Sequence, residues 1–162
     1  MHSSSILELL ILLTLANGVP VIAKKVLNTK FSWPVDVGAR FIDGRPLFGA
    51  SKTWRGLLLA IAVTTVAAPL LGLEAITGLV VGGAAMFGDL FSSFVKRRLK
   101  LRSSSRAFGL DQIPESLFPA LAGIRLLGLS TVDVVAVVAL FLVGEIVVSR
   151  ALFRLHIRDR PY

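Results

Sequence analysis

Residues 56–95 read GLLLAIAVTTVAAPLLGLEAITGLVVGGAAMFGDLFSSFV. Only two charged side chains, Glu74 and Asp89, interrupt this run. A helix that crosses ~30 Å of hydrocarbon needs ~20 mostly apolar residues. The stretch therefore predicts two spans, Gly56–Leu73 and Ala75–Val95. The turn at Leu73 and Glu74 is so tight that the two form an antiparallel hairpin. Gly78, Gly82, Gly83, Ala84 and Ala85 give the second span a small-residue surface on which a neighbouring helix packs closely.

Working outward, the same criterion predicts three further spans, Ile6–Val26, Pro114–Leu129 and Thr131–Phe153. The fourth in chain order, Pro114–Leu129, is short and carries Arg125 near its end, as a tilted or partly crossing helix would. The whole chain of 162 residues is 54% hydrophobic and only 17% charged, with a mean hydropathy of +0.77. An average soluble domain has about 25% charged residues. The expectation is an all-α integral membrane protein of about five transmembrane helices, residues 1–162 forming one membrane-embedded domain. Ile6–Ala16 is not read as a secretory signal, because Lys24 and Lys25 follow it and no basic residue precedes it.

A net charge of +8 on a soluble protein would suggest nucleic acid. Here the positions of the charges argue for loops beside anionic lipid, with no nucleic-acid partner. Of the 18 Lys and Arg residues, seven lie between Lys24 and Arg55, six between Lys96 and Arg106, and four between Arg150 and Arg160. Only Arg125 falls on the other side. Five spans place the three basic segments on one face, which the positive-inside rule makes cytoplasmic. The N-terminus is then outside, and a basic C-terminal tail lies in the cytoplasm. This predicts a multi-pass protein of the cell membrane.

Two cytoplasmic connections are long: Leu27–Arg55 with 29 residues and Lys96–Ile113 with 18. Unstructured connections above ~12–15 residues are usually functional or disordered. Phe31, Trp33, Phe41, Phe48 and Trp54 make the first too aromatic for disorder. The chemistry is expected at these loops, facing the cytoplasm.

Three stretches could carry that chemistry. In Asp43–Gly56, Gly44 and Gly49 permit backbone N–H groups to converge on an anion. Ser51 and Thr53 add hydroxyls, and Arg45, Lys52 and Arg55 add positive charge. The inventory is that of a phosphate cradle at a helix N-terminus, or equally of a basic and aromatic headgroup anchor. It is not a P-loop, because Ala50 and Ser51 separate Gly49 from Lys52. In Gly88–Arg98 an acid inside a span marks a functional site by default. Asp89, Ser92 or Ser93, and Lys96 share one helical face, with Asp89 ~10 Å below Lys96. The plainer alternative is an Asp89–Lys96 or Asp89–arginine pair holding helices together. In Leu110–Pro119, Asp111 either caps the span that Pro114 opens or, with Asp89, holds Mg²⁺ against phosphate oxygens.

Other features carry less. The chain has no cysteine, which excludes disulfides and thiolate chemistry. His2 and His156 lie in no metal-ligand pattern. Asn17 with Pro20 predicts a kink or polar notch in the first span, or else a pocket-lining group, and Glu145 is either a pair with Arg150 or an interhelical donor or a member of the site. Glu8, Glu74 and Asp133 are assigned no role.

The runs PVDVGARFIDGRPLFGASKTWRG (Pro34–Gly56), GDLFSSFVKRR (Gly88–Arg98) and LDQIPESLFPAL (Leu110–Leu121) resemble the CDP-archaeol synthases. The resemblance covers the whole chain in order, five-span layout included. More distantly, the S-x-x-K-R pattern at Ser93–Arg97 followed by Asp111 is similar to phosphatidate cytidylyltransferases, although Gln112 stands where those carry His-Gly-Gly. The resemblance implies a Mg²⁺-dependent cytidylyltransferase. It would join CTP to an isoprenoid ether-lipid phosphate, 2,3-bis-O-geranylgeranylglycerol 1-phosphate, giving CDP-archaeol and pyrophosphate. On that basis Asp89 and Asp111 are expected to hold the metal and, with Lys96, to act catalytically. Ser51, Lys52, Thr53 and Arg55, with Arg45, are expected on the triphosphate. Lys96 and Arg97, with Ser93 beside them, are expected on the lipid phosphate or on charge developing at the leaving group. Apolar grooves between spans would take the isoprenoid chains, and a homo-oligomer is compatible with this layout.

Two competing readings come from other classes. Asp36-Val-Gly-Ala-Arg40 echoes an element of the CDP-alcohol phosphotransferases, but no GxxxDxxxD follows. Asn17, Asp89 and Glu145 could instead line the path of a small anion transporter, although no internal repeat supports one.

Overall fold

The computed structural model of the chain describes residues 3–102, 105 and 107–154. His2, His156, Arg106, Arg158 and Arg160 lie outside the described residues. Five helices follow in order: α1 (Ser3–Leu27), α2 (Trp54–Leu70), α3 (Ala75–Arg98), α4 (Gln112–Leu126) and α5 (Thr131–Arg154). Each corresponds to one expected span, and among the described residues there is no strand, only the isolated bridges Pro34–Thr53 and Arg40–Pro46.

Lengths refine the five-span expectation, in which only the fourth was short. α1, α3 and α5 contain helices long and apolar enough to cross a membrane. α2 has 17 residues and α4 has 15, about 26 and 22 Å at ~1.5 Å per residue. α2 stops at Leu70, three residues before its expected end. Gly72 adopts a left-handed backbone, φ +80°, and closes a Schellman cap. There the Leu73 N–H reaches the Ala68 carbonyl at 3.0 Å and the Gly72 N–H reaches Pro69 at 3.1 Å.

α1 is the hub and packs against each of the other four helices. Leu9, Leu12, Leu13 and Ala16 are fully buried along it. Outward faces are apolar as well: Leu58, Val66, Leu79, Phe87, Val135, Leu140 and Val143 are exposed. A soluble monomer rarely shows so continuous an apolar exterior. A lipid-facing one has no alternative. The protein is a multi-pass membrane protein.

Glycine sets two of the closest approaches. A Cβ at Gly78 would lie 2.2 Å from the Thr64 carbonyl oxygen, and one at Gly82 would lie 2.1 Å from the Thr64 hydroxyl. α2 and α3 are therefore in backbone contact. Gly83, expected on the same surface, has open space beside it.

α3 ends in a second Schellman cap with a lysine where glycine is usual. Lys100 sits at φ +64°; its N–H bonds Arg97 at 3.2 Å, while the Leu101 N–H bonds Lys96 at 3.0 Å. A left-handed backbone costs a side-chain-bearing residue about 1–2 kcal/mol. Lys100→Gly is expected to raise stability by about 1 kcal/mol, read as a higher midpoint in thermal unfolding in detergent.

Candidate active site

The long Leu27–Arg55 connection is ordered, as its aromatic content predicts. It folds back as a hairpin, with Val35 N–H to Lys52 at 2.8 Å, Leu47 N–H to Ala39 at 3.1 Å and Phe41 N–H to Arg45 at 2.8 Å. Asp36, 7% exposed, ties the two arms together. Its carboxylate accepts N–H groups from Gly38 at 3.2 Å, Phe48 at 3.1 Å and Gly49 at 2.8 Å. This revises the expected cradle. The Gly49 amide already holds an anion, and that anion is Asp36. The Gly44 amide bonds the Phe41 carbonyl at 2.8 Å.

The hairpin is stapled to the C-terminal end of α3. The Arg98 guanidinium stands 4.8 Å from the ring centroids of both Phe41 and Phe94. It also donates to Asp43 at 3.0 Å and to the Pro46 carbonyl at 2.7 Å. Arg45 donates to the Arg97 and Arg98 carbonyls, each at 3.3 Å. Neither carbonyl accepts an ordinary helical bond, the Arg97 one taking only the cap N–H of Lys100, so a cation there is favourable twice over.

Stapling carries Lys52 down onto α3. Its Nζ lies 2.5 and 2.6 Å from the two carboxylate oxygens of Asp89. Buried Glu115 on α4 stands beside the pair. Beside this group, Lys96 Nζ lies 2.6 Å from Asp111 Oδ1 and 3.1 Å from the Ser105 carbonyl. Burial works to lower the Lys52 pKa, but Asp89 and then Glu115 outweigh it and hold the ammonium above its ordinary value.

Helix crossing at Gly88 makes the cluster possible. A Cβ there would lie 2.3 Å from the Pro114 carbonyl oxygen and 2.8 Å from the Glu115 nitrogen. α4 therefore rests directly on α3, one residue from Asp89. Polar side chains fill the surroundings: Ser92, Ser93, Arg97, Glu115 and Ser116 are all buried.

The expected residues thus divide. Lys52, Asp89, Lys96 and Asp111 converge. Asp89 pairs with Lys52, not with Lys96 or an arginine, and Asp111 stands at the N-cap of α4 without a side-chain capping bond. Ser93 is buried on α3, and Arg97 donates to the Arg102 carbonyl at 2.8 Å. Ser51 is exposed beside Lys52. Thr53 is the N-cap of α2, accepting the Gly56 N–H at 3.3 Å. Arg55 donates to the Lys30 and Asn28 carbonyls just beyond α1, so its guanidinium is engaged at the α1–α2 junction. Glu115 was missed in the sequence. Its signal was the spacing of four from Asp111, which puts both on one helical face.

Asp133 also has a role. It accepts the Ser130 N–H at 3.0 Å, while the Ser130 hydroxyl accepts the Asp133 N–H at 3.2 Å, a capping box that starts α5.

Among the described residues no three acidic, histidine or cysteine side chains converge as a complete metal cage. Mg²⁺ does not require one, since it takes one or two carboxylates and completes its shell with phosphate and water. Asp89, with Glu115 beside it, and Asp111 are hard oxygen donors of that kind. The donor set fits.

Asp36 gives a pH prediction. Burial alone would raise its pKa, but the Gly49, Phe48 and Gly38 amides outweigh this and hold it below the usual aspartate value. A depressed folded pKa stabilises above the unfolded value, about 3.9, and the contribution is lost as pH falls through the folded one. Asp36→Asn is therefore expected to lower the unfolding midpoint at pH 7. The gap to wild type should narrow below about pH 4, read in parallel thermal melts.

The family model described as CarS-like, CDP-archaeol synthase, matches residues 6–74 and 71–162. A CDP-archaeol synthase of Sulfurisphaera tokodaii is 35% identical over 80% of this chain and 81% of its own length. One from Pyrobaculum calidifontis is 32% identical over 91% of this chain and 90% of its own. One from Pyrobaculum arsenaticum is 40% identical, and the alignment spans 60% of this chain and 61% of the relative. A solved structure of an intramembrane enzyme for archaeal membrane lipid biosynthesis superimposes with a TM-score of 0.71. It is 30% identical, covering 85% of this chain and 90% of that one. With both segments of the family model matched in order along nearly its full length, the chain belongs to the CDP-archaeol synthase family.

Proposed function

We propose that this chain transfers CMP from CTP to the phosphate of 2,3-bis-O-geranylgeranylglycerol 1-phosphate, releasing pyrophosphate and forming CDP-archaeol. The observation that carries the reading is the cluster of half-buried Lys52, Asp89 and Asp111 with buried Lys96 and Glu115. It lies where an apolar bundle meets an ordered basic loop, which suits a lipid phosphate meeting a water-soluble nucleotide. The anion-transporter reading loses its support, because the paired charges gather at one end of α3.

A phosphate oxygen of the lipid attacks the α-phosphorus of CTP, the bond to the bridging oxygen of the β-phosphate breaks, and pyrophosphate leaves. No covalent enzyme intermediate is needed; positioning and charge neutralisation supply the rate. Lys52 and Lys96 are the ammonium groups that would contact the anionic phosphates. Arg45 and Arg98 fix the loop that carries Lys52. Asp89 and Asp111 would hold Mg²⁺. When bound, Mg²⁺ supplies positive charge to the triphosphate oxygens.

We further propose that the site faces the cytoplasm. Because the chain lacks cysteine, single reporters are clean. Glu74→Cys should react with an impermeant maleimide on intact cells, and Ile42→Cys only after permeabilisation. The reverse pattern would overturn the orientation. The reaction is tested with purified protein in detergent, labelled CTP and the geranylgeranylated phosphate. Labelled lipid that appears with Mg²⁺ and disappears with EDTA is expected. Its absence from folded protein would refute the activity.

A further inference from the structure

The Lys52 ammonium does not merely stand near Asp89. It lies within 2.6 Å of both carboxylate oxygens, with buried Glu115 beside the pair. A metal on Asp89 would need those same oxygens. An ammonium that touches both oxygens competes with a divalent cation for them, since the two charges repel at contact distance. Lys96 is placed differently: it meets Asp111 through one oxygen and spends a second donor on the Ser105 carbonyl.

Lys52 also sits where it could be drawn away. It belongs to the hairpin and not to a helix interior, and its backbone is fixed by the Val35 and Gly49 bonds while its side chain has four rotatable carbons. A triphosphate beside Asp89 would offer the ammonium a second, more highly charged anion. The site would then exchange one cation for another without exposing a bare carboxylate, which is costly when buried.

We propose that Lys52 is a specificity-determining residue that keeps Asp89 closed to free divalent metal and admits metal only together with nucleotide phosphates. This rests on the proposed cytidylyltransferase reading. The site thereby takes the metal–nucleotide complex as its substrate and does not fill with metal in advance.

The test measures Mn²⁺ binding by electron paramagnetic resonance on purified protein in detergent, without nucleotide, for wild type, Lys52→Met, Lys52→Arg and the double variant Lys52→Met with Asp89→Asn. Thermal melts establish that each is folded. Lys52→Met is expected to bind Mn²⁺ at least about tenfold more tightly than wild type, because a competing charge has gone. Lys52→Arg, which keeps the charge, should stay weak. The double variant should lose the gain, which assigns it to Asp89. Adding CTP should tighten Mn²⁺ binding in wild type and change it little in Lys52→Met.

Equal or weaker binding by folded Lys52→Met would overturn the proposal, as would a gain that survives Asp89→Asn. Should Lys52→Met not fold, wild type alone decides: Mn²⁺ binding that is already tight without CTP, and unchanged by it, refutes the exclusion. Failure of the underlying reading is separate. Wild type that makes no CDP-lipid refutes the activity, whereas wild type that makes it while Lys52→Met gains no metal refutes only the role of Lys52.

Discussion

Asp89→Asn is expected to lower CMP transfer by about 10³-fold, the upper range for removing one preorganised electrostatic group. The substitution keeps the shape of the side chain and removes its charge. Lys52, 2.5–2.6 Å away, then faces a neutral amide, and the metal loses a hard anionic donor. Some loss of stability accompanies this, because a half-buried ammonium loses its ion-pair partner. The two effects separate by experiment. Asp111→Asn also removes a carboxylate paired with lysine, yet Lys96 retains the Ser105 carbonyl. It should therefore fold more normally and still lose most of its turnover. Steady-state rates and melts on both variants check this. Near wild-type turnover in both, with intact folding, would remove the metal assignment.

Gly88→Val should be the most damaging substitution that touches no charge. The first carbon of any side chain there meets Pro114 at 2.3 and 2.6 Å and the Glu115 nitrogen at 2.8 Å. All three contacts are backbone, so no rotamer relieves them and the helices must separate. Overpacking of this kind costs about 1–3 kcal/mol. Separation also draws Glu115 from Asp89, and a misplacement of ~1 Å in a reacting assembly costs about 10²-fold in rate. Gly83→Ala is the internal control: five residues away on the same helix it meets open space and should leave both properties unchanged.

The helices were legible because apolar runs of spanning length permit little else. Their ends were less so: Gly72 shortens α2 through a left-handed cap, and a turn of apolar residues before it reads like more helix. The acids and lysines of the site were legible as types, since charge inside an apolar run is expensive and needs a reason. Their partners were not. Sequence spacing put Asp89 and Lys96 on one face, but Lys52 reaches Asp89 from 37 positions away through a hairpin that Asp36, Arg98 and two phenylalanines hold in place. No local pattern encodes that closure. The glycine-rich stretch looked like an empty anion cradle because Asp36 lies 13 positions before Gly49 and only folding brings it in. Glu115 was overlooked because Asp111 already offered a second carboxylate.

Transfer of the α-phosphorus itself is what distinguishes a cytidylyltransferase from a kinase or a carrier. CTP labelled separately at the α- and γ-phosphorus, incubated with the purified protein, Mg²⁺ and the geranylgeranylated glycerol phosphate, decides among them. The α-label should enter the lipid phase while the γ-label leaves in pyrophosphate, in equal amounts. Recovery of γ-label in the lipid, or of neither label, would contradict direct attack at the α-phosphorus.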